Sequence, residues 1–213
     1  MATHYDDEDQ AERLKQWWKE NWMALAGGLI IGLAAIFGWE GWKSHQDARG
    51  ASASRMYEEL KLALDAQRID DARRIGEALA DEHARSPYAS TAMLFLAAQA
   101  VEAGDFADAR TRLSWVREHG YDEGVRHIAT LREARVAWQQ GETEAALALL
   151  STSGGPFQAQ FDELRGDIAL AAGDRGTARG AYEKALAGAP DDIPGLRDSL
   201  QRKLDDLTAV AQS

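Results

Sequence analysis

The residues of this chain whose types could do chemistry are few and dispersed. His4, His45, His83, His119 and His127 fall in different expected elements, and no two stand four apart with a glutamate between them. That spacing is how zinc hydrolases put two imidazoles on one helix face. The absence of cysteine removes thiolate zinc sites, disulfide frameworks, haem attachment and a cysteine nucleophile together. Gly154-Gly155-Pro156 lacks the lysine and following serine or threonine of a phosphate-binding loop, and no strand precedes it, so it reads as a turn. No nucleophile elbow is present. The carboxylate clusters Asp6 to Asp9, Asp70-Asp71, Asp191-Asp192 and Asp205-Asp206 lie at termini or helix ends, where solvation and capping account for them. None has the acidic ladder, central glycine and closing glutamate of a calcium loop. The sequence therefore offers no catalytic, cofactor or metal site. Its 24 basic and 35 acidic residues, net charge −11 and pI near 4.9 give no cationic footprint for a phosphate backbone, so no nucleic-acid partner is expected.

Function must then reside in the elements themselves, and the first of these is apolar. From Asn21 to Trp39 no side chain is ionisable. As a helix this stretch spans about 28 Å, close to the thickness of a bilayer's hydrocarbon core. Trp17, Trp18 and Trp22 on one side and Trp39 and Trp42 on the other have the placement of membrane-interface aromatic belts, with Lys19, Glu20, Glu40 and Lys43 just outside. Ala51-Ser52-Ala53 has the form of a signal cleavage site. It is separated from the apolar run by a mostly polar stretch, however, and the chain start is acidic where a signal peptide would be basic, so an uncleaved signal anchor is expected. Arg13, Lys15 and Lys19 before the run, against Lys43 and Arg49 after it, favour an inside N-terminus. The expected organisation is a short acidic tail over 1–21, a transmembrane signal-anchor helix over 22–42, and a domain over 43–213 on the far side. Gly28-x-x-x-Gly32 has a spacing that permits close helix approach, and the frequency of glycine in membrane helices explains it equally well.

After Trp42 apolar residues recur at three and four without alternating β-branched runs, which predicts an all-α fold. Breaks near Asp70, Ser86-Pro87, Gly104-Asp105, Gly120 to Gly124, Gly141-Glu142, Gly154 to Pro156, Gly173-Asp174 and Ala189-Pro190 cut the region into about nine helices joined by short turns, hence antiparallel hairpins. The hairpins repeat weakly. Aligning Gly104, Gly141 and Gly173 brings Asp105, Glu142 and Asp174 together, then Ala109, Ala146 and Ala178, then Leu113, Leu150 and Tyr182. Before each glycine stand Ala100, Ala137 and Ala169 at four residues and Ala97, Ala134 and Gly166 at seven. The intervals of 37 and 32 residues bracket the 34 of a tetratricopeptide repeat, and Gly166, Gly173, Ala178, Tyr182 and Pro190 make the last unit the best match. A more degenerate unit is expected from about Arg55, turning at Gln67 to Asp70, with Ala72 at the alanine position. Small residues would let the two helices of a hairpin approach while the large one fills the gap to the next. Leu196, Leu200, Leu204 and Leu207 put an apolar stripe on a final helix, about Ile193 to Val210, that would cap the stack. An irregular helical bundle is the alternative. Trp115 and Trp138 are either exposed partner contacts or core residues.

Along nearly its full length the chain resembles the YfgM family of ancillary SecYEG translocon subunits. The resemblance runs from the tail DDEDQAERLKQWWKENW through ALAGGLIIGLAAIFGWEGWKSHQ to LREARVAWQQGETEAALALL and GDIALAAGDRGTARGAYEKAL. Gly38-Trp39, Trp42 and His45-Gln46 carry its most specific pattern. It implies a single-pass protein of the bacterial inner membrane with a cytoplasmic N-terminus and a periplasmic tetratricopeptide-like domain. It also implies a non-enzymatic co-chaperone role, with the SecYEG translocon and a membrane-anchored chaperone of the PpiD type as partners. In some members the tail restrains a response regulator of the Rcs system. The family carries no catalytic residues or cofactor to transfer. Read from the residues alone, a structural tetratricopeptide scaffold of another envelope assembly stands as the alternative.

Overall fold

The computed structural model describes residues 3–209, with the side chains of 12–24 and 26–208. The side chains of Asp6 to Asp9 and the expected helix end at Val210 lie outside the described residues. The chain divides into two compact units, residues 1–51 and 52–213.

The first unit holds the larger part of helix α1 (Thr3–Asp65). Leu29, Ile30, Ile31, Leu33, Ile36 and Phe37 are all exposed there. Successive helix positions turn by about 100°, so five of these six share one side with Ile31 opposite, and Gly32, Ala34 and Ala35 fill the rest of the circumference, leaving no polar face for water. Among the described residues no single uninterrupted helix is long and apolar enough to cross a membrane; Glu12–Ala24 and Ala26–Asp65, with a bend of 42° between them, meet the criterion together by length and composition only. Trp17, Trp18, Trp22, Trp39 and Trp42 are exposed, the last two with ring centroids 5.2 Å apart.

The second unit opens with the last turns of α1 and continues through α2 (Ile69–Glu82), α3 (Pro87–Glu102), α4 (Phe106–His119), α5 (Glu123–Gln139) and α6 (Thr143–Leu150). After a 3-10 turn at Gly155–Phe157 come α7 (Gln158–Ala171), α8 (Arg175–Gly188) and α9 (Leu196–Ala209). It is all α, a stack of antiparallel hairpins. Within it α3 packs on α4, α5 on α6 and α7 on α8; α3 also touches α5, and α5 touches α7. Ala53 and Leu60 of α1 share a core with Leu79 of α2 and Ala89 and Ala92 of α3. The small-residue site Ala51-Ser52-Ala53 thus ends in a fully buried alanine.

Four turns are built alike. Gln67, Gly104, Gly141 and Gly173 take φ values of +57°, +77°, +82° and +82°. Each donates its N–H to the carbonyl three residues back, and the residue after it donates to the carbonyl five back (Arg68 to Ala63, Asp105 to Ala100, Glu142 to Ala137, Asp174 to Ala169). This pair of bonds satisfies the last carbonyls of a helix and needs a left-handed residue, which glycine supplies without strain. In the first hairpin a glutamine does so. The turn there lies at Gln67, and Asp70, near which the sequence places a break, is already in the first turn of α2. From turn to turn the intervals are 37, 37 and 32 residues. The last is short because α6 has 8 residues where α4 and α8 have 14.

The residues five after each turn, Ala72, Ala109, Ala146 and Ala178, are fully buried. The positions seven before and nine after form a pair whose sizes compensate: Leu60 with Gly76, Ala97 with Leu113, Ala134 with Leu150, Gly166 with Tyr182. A Cβ on Gly76 would lie 2.4 Å from Leu96 Cδ1 and 3.2 Å from Leu60 Cδ1, and one on Gly166 would lie 2.4 Å from the Tyr182 ring. The space between helices is conserved, then, rather than the residue at either position. After Pro190, α9 lays Leu196, Leu200 and Leu207 on Ala178, Tyr182 and Ala185, with Leu204 partly buried.

Candidate partner-binding surface

Groups of three or more histidine, aspartate or glutamate side chains able to hold a metal ion are absent among the described residues. Two titratable groups with shifted values, Lys203 and Tyr182, are structural ties. Lys203 of α9 donates to Glu163 at 2.8 Å and Asp167 at 2.6 Å on α7, and Tyr182 Oη donates to the same Asp167 at 2.8 Å. Burial alone would lower Lys203, but the bonds to Asp167 and Glu163 outweigh it and hold the ammonium above the ordinary lysine value. Burial first, then the Asp167 carboxylate, pushes the Tyr182 phenol well above its ordinary value. Neither group exchanges a proton near neutral pH, as an acid or base in catalysis would need to. They bind α7, α8 and α9 together.

Trp115 and Trp138 are each half-buried. Trp115 packs against the cores of the first two hairpins and stacks on the His119 ring, centroids 5.1 Å apart at 22°. It lines a groove of about 670 Å³ whose other walls include Arg110, Glu118, Glu133 and Glu142. These charges are matched within the fold: Arg110 meets Glu142 at 2.5 Å, and Arg117 meets the buried Glu133 at 2.9 Å. Trp138 packs against the core formed by Leu131, Ala134, Leu150 and Phe161.

A second groove, about 390 Å³, runs between α3 and α5. Both are first helices of their hairpins, so it lies along the face where those helices adjoin. Leu94, Ala98 and Val101 form one wall, Leu113 and Val136 contribute from beneath, and Arg132 and Arg135 stand on the other wall. Both arginines are exposed, and neither has a hydrogen-bond or ion-pair partner among the described residues. Sequence reasoning missed this site. The available signal was the pair of arginines three apart on one helix, Arg132 and Arg135, in a chain with an excess of acid.

Over residues 15–209 the chain matches the model of the tetratricopeptide repeat-like domain. It is 34% identical over 210 residues to the ancillary SecYEG translocon subunit of Escherichia coli, covering 98% of this chain and 100% of that protein. The chain belongs to the ancillary SecYEG translocon subunit family. The Haemophilus influenzae member is 33% identical over 87% of this chain and 91% of its own length, and the Neisseria gonorrhoeae member 28% identical over 97% and 100%. Within this family the relatives named here carry a subunit's name rather than an enzyme's. The repeat-like match starts at residue 15 and so takes in most of α1 together with the hairpins.

Proposed function

We propose that this chain is a membrane-anchored, non-enzymatic adaptor of the secretion channel. In this reading residues 22–42 cross the bacterial inner membrane once, with Trp17, Trp18, Trp22, Trp39 and Trp42 at its two faces. Residues 1–21 lie in the cytoplasm, and the hairpin stack within 43–213 works in the periplasm. There it joins SecYEG and a membrane-anchored chaperone of the PpiD type and helps pass emerging polypeptides to chaperones. The observation that carries the reading is the likeness, end to end, to a protein named as an ancillary subunit of SecYEG. A helix apolar on every side, and a stack of hairpins presenting open grooves, are what such a role requires. A contact between the acidic tail and a response regulator of the Rcs system rests on the family resemblance alone.

Crosslinkers at Trp39 to His45 in intact membranes, followed by purification in mild detergent, should recover SecY together with the chaperone. Recovery of neither would overturn the reading, and recovery of a division or outer-membrane insertion complex would transfer the chain to the scaffold alternative. Alkaline phosphatase fused after Ser213 should be active, and an inactive fusion would reverse the orientation.

A further inference from the structure

We infer that the groove between α3 and α5 is a docking site for an extended peptide segment of a partner protein in which an acidic side chain stands close to an apolar one. The inference deepens the adaptor reading, since it names what the adaptor grips.

The groove has two chemistries side by side. Leu94, Ala98 and Val101 give an apolar wall, and exposed Phe95 stands one turn from Ala98 on the same helix. A volume of about 390 Å³ is at the lower end for a ligand pocket and suits one or two side chains rather than a whole helix. Arg132 and Arg135 face it from α5. They lie three apart on one helix face, where two like charges repel and neither is relieved by a neighbouring carboxylate. Arginines that bridge neighbouring helices are matched, Arg110 to Glu142, Arg112 to Asp108 and Glu77, Arg117 to Glu133, whereas other exposed arginines without a carboxylate partner among the described residues, Arg55, Arg73, Arg85 and Arg202, stand singly rather than as a pair on one helix face. In a chain of net charge −11, leaving two guanidiniums unpaired beside an apolar wall favours an occupant that brings carboxylates. The one carboxylate in the groove, Glu102, accepts a hydrogen bond from Gln99 at 3.0 Å and stands with Gln139 at the end nearest the turns. The occupant's acid is therefore placed toward the Arg132 and Arg135 side and its apolar residue over Ala98 and Val101.

The test uses the full chain in detergent micelles and fluorescence anisotropy with three labelled ten-residue peptides that share alternating leucines and carry glutamate, glutamine or lysine between them. The glutamate peptide should bind at least tenfold more tightly than the glutamine one, the lysine peptide should bind worst, and the preference should shrink as salt rises from 50 to 200 mM, by about the loss expected for two exposed charges. R132E/R135E should reverse the order of the peptides while leaving the melting temperature unchanged. Val101→Ser, which removes apolar surface without adding charge, should weaken the glutamate and glutamine peptides alike, and Arg73→Glu, an exposed arginine on α2 away from the groove, should change nothing. Equal binding of the three peptides, an unchanged order in R132E/R135E, or self-association that the peptides do not displace would each overturn the inference. Peptide binding is read on the purified chain, so its failure leaves the recovery of SecY to be judged separately.

Discussion

Glycine does opposite things in the two units. In the first, Gly27, Gly28, Gly32, Gly38 and Gly41 have nothing within 4 Å of where a Cβ would stand. In the second, Gly76 and Gly166 are pressed to 2.4 Å by Leu96 and Tyr182. Large residues follow the same division: Ile31 and Phe37 are exposed, whereas Leu79, Leu113, Phe161 and Tyr182 are buried. Burial in the hairpin unit comes from protein neighbours, so each small residue is fixed by the bulk opposite it. The large residues named on the apolar helix are exposed and its glycines meet no such neighbour, so their sizes are not fixed by packing within the chain.

The largest effect should come from putting charge on the helix. I30R/L33R asks two guanidiniums to enter hydrocarbon at about 2.5–3.5 kcal/mol each, so the chain should be lost from carbonate-washed membranes while the hairpin unit's melting transition stays in place. A fall in that transition would show that the helix is a core element and would erase the contrast. Next comes Gly166→Ala, where the new methyl meets the Tyr182 ring, expected to cost about 1–3 kcal/mol by denaturant titration. Gly28→Ala should leave that titration unchanged. Adding Tyr182→Leu to Gly166→Ala recreates the alanine and leucine combination of the two middle hairpins and should recover part of the loss. If the double variant is worse than either single one, the compensation of sizes is not what holds the hairpin. Tyr182→Phe removes only the hydrogen bond to Asp167 and should cost about 1 kcal/mol by the same titration, with the Lys203 pairing retained.

The smallest effect is acid sensitivity confined to the hairpin unit. The Asp174 carboxylate accepts from the Thr177 hydroxyl and N–H, and that of Asp122 from the Val125 N–H, and both are held below the ordinary aspartate value by these bonds. Their contribution is complete at neutral pH. It should fade once the pH falls below the ordinary aspartate value and vanish below the lowered one. D122N/D174N should flatten the dependence of unfolding midpoint on pH between about 5 and 2, and an unaltered slope would remove these caps from the account.

Much of the hairpin stack was legible because turn chemistry is local. A glycine followed by an acid and then, four residues on, an alanine names a left-handed helix end, a helix start and a close approach in one short window, and the sequence carries it at Gly104, Gly141 and Gly173. The first hairpin was harder to read because Gln67 occupies the left-handed position and because Leu60 and Gly76 exchange the small and large roles that Gly166 and Tyr182 play at the other end. That exchange is invisible to an alignment of residue types, since what is kept is a sum over two positions far apart in the chain. The α3 and α5 groove was not legible for a related reason. Arg132 and Arg135 resemble any solvated arginines until α3 is laid beside them.

The sequence by itself determined that the chain is helical, that one stretch is apolar throughout, and that the remainder turns at regular intervals. Each of these depends on neighbours within a few residues. Only the tertiary structure decided which arginines are paired, which tryptophan faces are covered and where a groove is left open. Those outcomes depend on which side chains from separate helices share a volume or a counter-charge, and the spacing along one helix does not specify its neighbour's face.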